Sequence, residues 1–548
     1  MSKEGSSSNV IDSYDAIIIG AGFSGLYMLH ALIKIGLKAR VLENADGIGG
    51  TWYWNRYPGA RCDAESLVYS YSFSEEIEQE WEWTERYATQ PEILQYIQFV
   101  AEKLNLNRHI DLSTRAASAN FNEENNKWTV VTEAGAQLKA QFCIMATGCL
   151  SAPSIPNIEG LGDFAGDTYY ASQWPHSKVQ FEGKTVGIIG TGSSAIQAIP
   201  VIAEEAKHLT VFQRTANFSV PANNKILDPT FVKLFKTDYS KHRAHQKEGT
   251  VSGFGGIELP LEEALIPNKS AGNLDETTVN GVLEEYWNQG GARFQAAFND
   301  VLTDPRTNEL FGKFVKTKIK SIVDDPAIAE LLCPTSHPFG TKRICVDTNY
   351  FETFNRSNVK LVDIKSDPIS RITKFGLLTE KNNYEFDALI LATGFDAMTG
   401  ALNKIDIVGK KDQSLSEKWS EGPKSYLGLS VSGFPNLFTI TGPGSPSVLS
   451  NMLVSIEQHV EWLTDLIRSM MDQNYESVEA DCIAETRWVK HVNEVADATL
   501  YPQGGSWYLG ANIPDKPRIF MPYAAGVGAY RLICDEIKND GYRGFNFS

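Results

Sequence analysis

Two stretches of this chain run from an apolar strand through a glycine-rich turn into a helix: AIIIGAGFSGLY at residues 16–27 and VGIIGTGSSAIQ at residues 186–197. The spacing G-x-G-x-x-G/A constrains the fold because each small residue removes an obstacle. The first permits the tight bend, the second lets a pyrophosphate reach the backbone at the positive end of the helix, and the third lets helix and strand pack closely. Gly20, Gly22 and Gly25 fill the first copy; Gly190, Gly192 and Ala195 fill the second, together with Ser193 and Ser194 as polar residues of a helix N-terminus. One such string alone is weak, since an ordinary strand-to-helix turn produces it too. The residue ending the next strand tells the two copies apart.

Twenty-three residues past Gly20, at the end of the strand ARVLEN, Glu43 is placed to accept from an adenosine ribose hydroxyl, which favours FAD or NAD. Twenty-four residues past Gly190 the strand LTVFQRT ends on Arg214 and Thr215. A guanidinium there pairs with a 2′-phosphate. The expected cofactors are FAD in the first turn and NADPH in the second, and a chain holding both most simply moves a hydride between them.

A length of 548 residues is too great for one core. Two segments, AQFCIMATG (140–148) and YEFDALILATG (384–394), are apolar strands that stop at Ala-Thr-Gly and mark where the chain divides. The expected fold is α/β, with two Rossmann-like dinucleotide-binding domains, the NADPH domain inserted in the FAD domain. Residues 1–150 form the first part of the FAD domain. Residues 151–385 form the NADPH domain, and 386–548 the second part of the FAD domain with the C-terminal region. Within the insertion, residues 225–335 lack strand alternation, and Phe311, Phe314, Val315, Ile319 and Ile322 recur at helical spacing, so a helical elaboration is expected.

A net charge of −17 disfavours a nucleic-acid partner or an anionic membrane surface. The seven cysteines are scattered without a CxxC, and the nine histidines show no ligand spacing. No disulfide framework and no metal site are therefore expected, and a reducing cytoplasm fits. Residues 16–33 carry no formal charge over a span long enough to cross a bilayer, but the glycine turn interrupts them, so they read as a βα unit of a soluble protein rather than a membrane segment.

Two segments carry candidate chemistry. GGTWYWNRYPGARCD (49–63) sets Arg56, Arg61 and Asp63 among aromatic rings just past the FAD ribose strand, where the loop can reach the flavin or simply pack. PFGTKRICVDTNY (338–350) holds the adjacent cations Lys342 and Arg343. They read either as a solvated surface pair or as two separate devices, one for the NADPH phosphate and one for negative charge developing at the flavin.

At these residues the chain resembles the type I Baeyer-Villiger monooxygenases over essentially its whole length. The family's flavin-domain fingerprint appears as Gly49, Gly50, Trp52, Tyr57, Pro58, Gly59 and Asp63. Its linker fingerprint FxGxxxHxxxW appears as FAGDTYYASQW, with Phe164, Gly166 and Trp174 matching and Tyr170 standing where the family has histidine. The resemblance implies that Arg343 is the catalytic arginine with Asp63 as its acidic partner, and that both line the cofactor site with Gly50 and Trp52. It implies that Arg214, Thr215 and Lys342 contact the NADPH phosphate, and that Trp507 belongs to a loop near nicotinamide and substrate. The implied reaction takes a ketone and molecular oxygen to an ester or lactone through a flavin C4a-peroxide, in a monomer. The readings that compete with it are N- or S-oxygenation by a related flavin monooxygenase, a disulfide reductase, which the cysteine spacing disfavours, and a non-catalytic redox sensor that binds both dinucleotides.

Overall fold

The computed structural model describes residues 12–249 and 270–548. Residues 250–269, part of the expected helical elaboration, lie outside the described residues, as do the first eleven. Among the described residues the first sheet has eight strands, and the strand Asp12–Ile19 lies at its centre between Gln137–Met145 and Ala39–Leu42, parallel to both. A strand covered on both faces must be apolar throughout, which is why Ala16–Ile19 is fully buried and unalternating. The uncharged run 16–33 thus divides into the end of this strand and the helix Phe23–Lys34. No helix of the described residues is long and apolar enough to cross a membrane.

The second sheet is wholly parallel, in the order Val359–Asp363, His208–Gln213, Thr185–Ile189, Ala388–Leu391, Asp167–Tyr170. Ala388–Leu391 therefore sits inside the inserted domain, although the sequence expectation ended that domain at 385. The hydrogen-bonded neighbours on either side of the strand show this, and they agree with a return to the first domain after Gly394, as the second Ala-Thr-Gly strand suggests.

The two Ala-Thr-Gly strands do equivalent jobs. A Cβ on Gly20 (φ +107°) would lie 2.6 Å from the Ala146 carbonyl oxygen, and one on Gly190 (φ +121°) would lie 2.3 Å from that of Ala392. Each glycine turn is pressed against the end of its own Ala-Thr-Gly strand, and neither position admits a side chain. Gly25 meets the same limit, since its Cβ would fall 1.8 Å from the Gly20 oxygen.

The described part of 225–335 is helical. Pro305–Ile322 buries Phe311, Phe314, Val315 and Ile319, and the Asp304 carboxylate caps it by accepting from the Thr307 N–H at 2.7 Å. The long helix Met452–Gln473 packs on Phe23–Lys34, so the C-terminal region closes over the first dinucleotide unit.

Candidate active site

Both glycine turns fit a phosphate ligand. Neither Gly22 nor Gly192 supplies a side-chain cap to the helix it opens, so the first N–H groups of Phe23–Lys34 and Ser193–Glu205 have no side-chain acceptor at the cap. A Cβ on Gly192 would meet nothing within 4 Å, and one on Gly22 would meet only Gly50, whose Cα lies at 3.5 Å. Gly50 itself has φ +55° and starts the short helix Thr51–Trp54 beside the first turn. The cradle is thus open where a pyrophosphate would lie.

Glu43 is buried at the end of Ala39–Leu42, where its two oxygens accept from the N–H groups of Ala21 (2.7 Å) and Ala45 (2.8 Å). Burial raises its pKa, and the backbone donors offset part of that rise. The carboxylate ties the glycine turn to the strand on which the ribose would rest. In the second unit Thr191 Oγ1 donates to the Thr215 carbonyl at 2.8 Å, which joins the glycine turn to the segment carrying Arg214. Lys342 is brought to the same place: burial lowers its pKa, and the like charges of Arg214 and Lys365 lower it further. A desolvated lysine among other cations makes a place where an anionic ligand group would be well accommodated. Ser193 is exposed in the turn and its Oγ lies 3.3 Å from Cys345 Sγ, while Ser194 is half-buried.

Between the two units lies an ion pair. Arg343 donates from Nε to Asp63 Oδ2 at 2.6 Å and from Nη2 to Asp63 Oδ1 at 2.9 Å, and its Nη1 donates to the Val448 carbonyl at 2.6 Å. Burial works against the charged guanidinium, yet the charge and hydrogen bonds of Asp63 outweigh it and hold the arginine above its ordinary pKa. Lys342 and Arg343 are therefore in different surroundings: Arg343 is paired with Asp63, while Lys342 is half-buried near the like charge of Arg214.

The loop carrying Asp63 is docked on the second unit. Tyr57 donates from its hydroxyl to Gln197 Oε1 at 2.9 Å, Gln197 Nε2 donates to the Arg61 carbonyl at 3.2 Å, and a Cβ on Gly59 would lie 2.4 Å from the Gln197 oxygen. Close approach of helix and loop explains a glycine at 59 with φ +78°. Trp52 is buried and donates from Nε1 to the Tyr69 hydroxyl at 3.1 Å. Other rings of the aromatic segment, such as Tyr71 against Phe23 and Trp81 against Trp83, serve packing.

The linker fingerprint also has a structural basis. Phe164 and Tyr170 pack on the apolar cluster around Phe212 and Leu389, and a Cβ on Gly166 would collide with the Asp387 carbonyl at 2.6 Å. Trp174 stacks on Tyr169 (5.2 Å between centroids) and donates from its backbone N–H to the Trp54 carbonyl at 3.3 Å. Trp507 is half-buried, with its ring 4.4 Å from that of Tyr508. Sequence reasoning gave no individual role to Gln197, Val448 or Tyr508, although the segments around 443–449 and 505–508 were expected to help shape the substrate pocket.

The family described as pyridine nucleotide-disulphide oxidoreductase matches residues 17–250. A cyclohexanone 1,2-monooxygenase of an Acinetobacter species is 41% identical over 97% of this chain and 96% of its own length. A Baeyer-Villiger monooxygenase of Pseudooceanicola batsensis is 40% identical over 96% of this chain and 95% of its own. The chain belongs to the type I Baeyer-Villiger monooxygenases. A solved structure of an oxidised steroid monooxygenase bound to NADP superposes on this Baeyer-Villiger fold with a TM-score of 0.92 at 47% identity, covering 98% of this chain and 99% of the other.

Proposed function

We propose that this chain oxidises a ketone to an ester or lactone with NADPH and molecular oxygen, that FAD and NADPH occupy the first and second glycine turns, and that Arg343 and Asp63 are its catalytic pair. The observation that carries the reading is the two-pronged Arg343–Asp63 pair set between two dinucleotide cradles, one with a carboxylate and one with cations at the ribose position. When bound, NADPH would supply the hydride, and the reduced FAD would activate the molecular oxygen from which the inserted atom comes.

The residues of the chain do the rest. Arg343 places a permanent positive charge where negative charge develops, and a guanidinium serves better than an ammonium because it does not give up its proton. Asp63 fixes the plane of that guanidinium, and Val448 fixes its third edge. Tyr69, Tyr501 and Tyr508 are buried around the pair and limit the water that reaches it. A dry site strengthens the charge interaction and prevents loss of the oxidant to solvent. Arg214, Thr215 and Lys342 hold the 2′-phosphate, Glu43 the FAD ribose, and Trp507 the nicotinamide side of the substrate pocket. We further propose that the protein works as a monomer, and in the cytoplasm, where seven free cysteines would stay reduced.

Oxygen and NADPH consumption against a panel of cyclic, aliphatic and steroidal ketones, with product identification, tests the function. Ester or lactone formed in proportion to NADPH supports it. NADPH consumption that only a sulfide or amine stimulates favours heteroatom oxygenation, and no consumption with any of them favours a sensor.

A further inference from the structure

Tyr508 lies within electrostatic reach of the Arg343–Asp63 pair. Its ring is wedged against Tyr501 (centroids 5.9 Å apart, 83° between planes), Phe520 (6.0 Å, 78°) and Trp507, and its side chain is fully buried. The backbone is held as well: the Tyr508 N–H donates to Ser506 Oγ at 3.2 Å, and its carbonyl accepts from the Met521 N–H at 2.9 Å. The ring cannot move, yet its O–H has no acceptor among the described residues. Leaving a buried O–H without an acceptor costs about 1–3 kcal/mol. A phenylalanine would fill the same space without that cost, so the hydroxyl needs another reason to be there.

Its surroundings supply one. The phenol oxygen faces the Arg343 guanidinium, whose positive charge attracts the oxygen and repels the hydrogen. The O–H is therefore turned away from the arginine, toward whatever acceptor enters the site beside it. We propose that Tyr508 is a further catalytic residue, whose O–H donates to the carbonyl oxygen of the ketone next to Arg343. This inference rests on the ketone reading above. As a nucleophilic oxygen adds to the carbonyl carbon, the C=O π bond breaks and its electron pair moves onto the carbonyl oxygen, which is then held by a fixed cation and a fixed donor. Burial pushes the phenol above its ordinary pKa, more than the Arg343 charge lowers it, so the group keeps its proton and remains a donor at neutral pH.

The test is Tyr508→Phe in the FAD-loaded enzyme, with three readouts. Binding of cyclohexanone and of methylenecyclohexane, which has the same shape without the carbonyl oxygen, is followed by the absorbance change of the oxidised flavin. The variant is expected to bind the ketone about fivefold more weakly relative to the alkene. Its kcat for ketone oxidation is expected to fall by at least as much, because the bond strengthens as charge develops. Its melting temperature is expected to stay the same or rise, since a buried O–H without an acceptor has been removed. An unchanged ketone-to-alkene ratio, or a lowered melting temperature that marks the hydroxyl as structural, overturns the proposal. A wild type that neither binds nor oxidises any ketone of the panel overturns the ketone reading itself, and this inference with it.

Discussion

Asp63 and Arg343 stand 280 positions apart in the chain and meet through two parallel hydrogen bonds, one to each carboxylate oxygen. The pair joins the loop after the FAD ribose strand to the segment beyond the helical elaboration, so this ion pair links the two dinucleotide units alongside the docking of Tyr57 and Arg61 on Gln197. Neither side chain is more than 28% exposed. Breaking such a pair from one side leaves an uncompensated charge in a poorly hydrated place.

Arg343→Ala is expected to slow ester formation far more than flavin reduction by NADPH, because hydride transfer depends on stacking and distance while the oxygenation steps need a counter-charge. Rapid-mixing spectra separate the two half-reactions. A variant that still makes ester at the wild-type rate rejects the assignment. Asp63→Ala is expected to lower stability by about 3 kcal/mol through the stranded guanidinium, read by urea unfolding of the FAD-loaded protein. Arg343→Met with Asp63→Ala should recover much of that loss without recovering activity.

Arg214→Ala is expected to weaken NADPH binding by up to roughly a hundredfold, the upper range for a charge-assisted bond, while the KM for NADH changes little. Lys342→Ala should act in the same direction, since the two cations face one site. Equal catalytic efficiency of the wild type with the two nicotinamides would count against a 2′-phosphate there.

Much of this arrangement was legible in the chain because covalent geometry demands it. Only glycine tolerates the contacts at positions 20 and 190, so both turns announce themselves, and Phe311 to Ile319 announce a helix by period alone. The Asp63–Arg343 pairing came from the family resemblance, since no local pattern links residues so far apart. Gln197 was invisible: it is one more polar residue on a helix until the docking of the Tyr57–Arg61 loop gives it three hydrogen bonds, one to Tyr57 and two to Arg61. The sheet to which Ala388–Leu391 belongs was not legible for a similar reason. An apolar strand ending in Ala-Thr-Gly fits either sheet, and only the pairing of Ala388–Leu391 with Thr185–Ile189 shows which.

Asp347, four residues beyond Arg343, gives a pH-dependent expectation. It is fully enclosed, accepts from Ser219 Oγ and from the Tyr350 N–H (3.1 Å), and burial pushes its pKa up to about 7 despite those donors. Between about pH 4 and 7 the unfolded chain has released a proton that the folded chain keeps, so this residue lowers stability as pH rises through that window, and its penalty is complete above it. Asp347→Asn should therefore raise the melting temperature more at pH 8 than at pH 5. Parallel melting curves at the two pH values would show that the carboxyl is ionised throughout.

Tyr170 is the one departure from the linker fingerprint, and its surroundings say what the position does. It ends the edge strand Asp167–Tyr170, pairs in register with Leu391, and packs with Phe164 on the apolar cluster of the second sheet, while its neighbour Tyr169 carries the stack on Trp174. That places it in the linker holding the second sheet against Trp54, where a planar ring is needed and titration near neutral pH is not. Tyr170→His is therefore expected to change ester yield per NADPH by less than about tenfold, an effect below roughly 1.4 kcal/mol. Tyr170→Ala removes the ring from the cluster and should both lower the melting temperature and raise hydrogen peroxide release, because a loosened linker no longer fixes the two units against each other. If instead the wild type oxidises no ketone and Tyr170→His restores that activity, the histidine of the fingerprint acts chemically, and packing is not what the position is for.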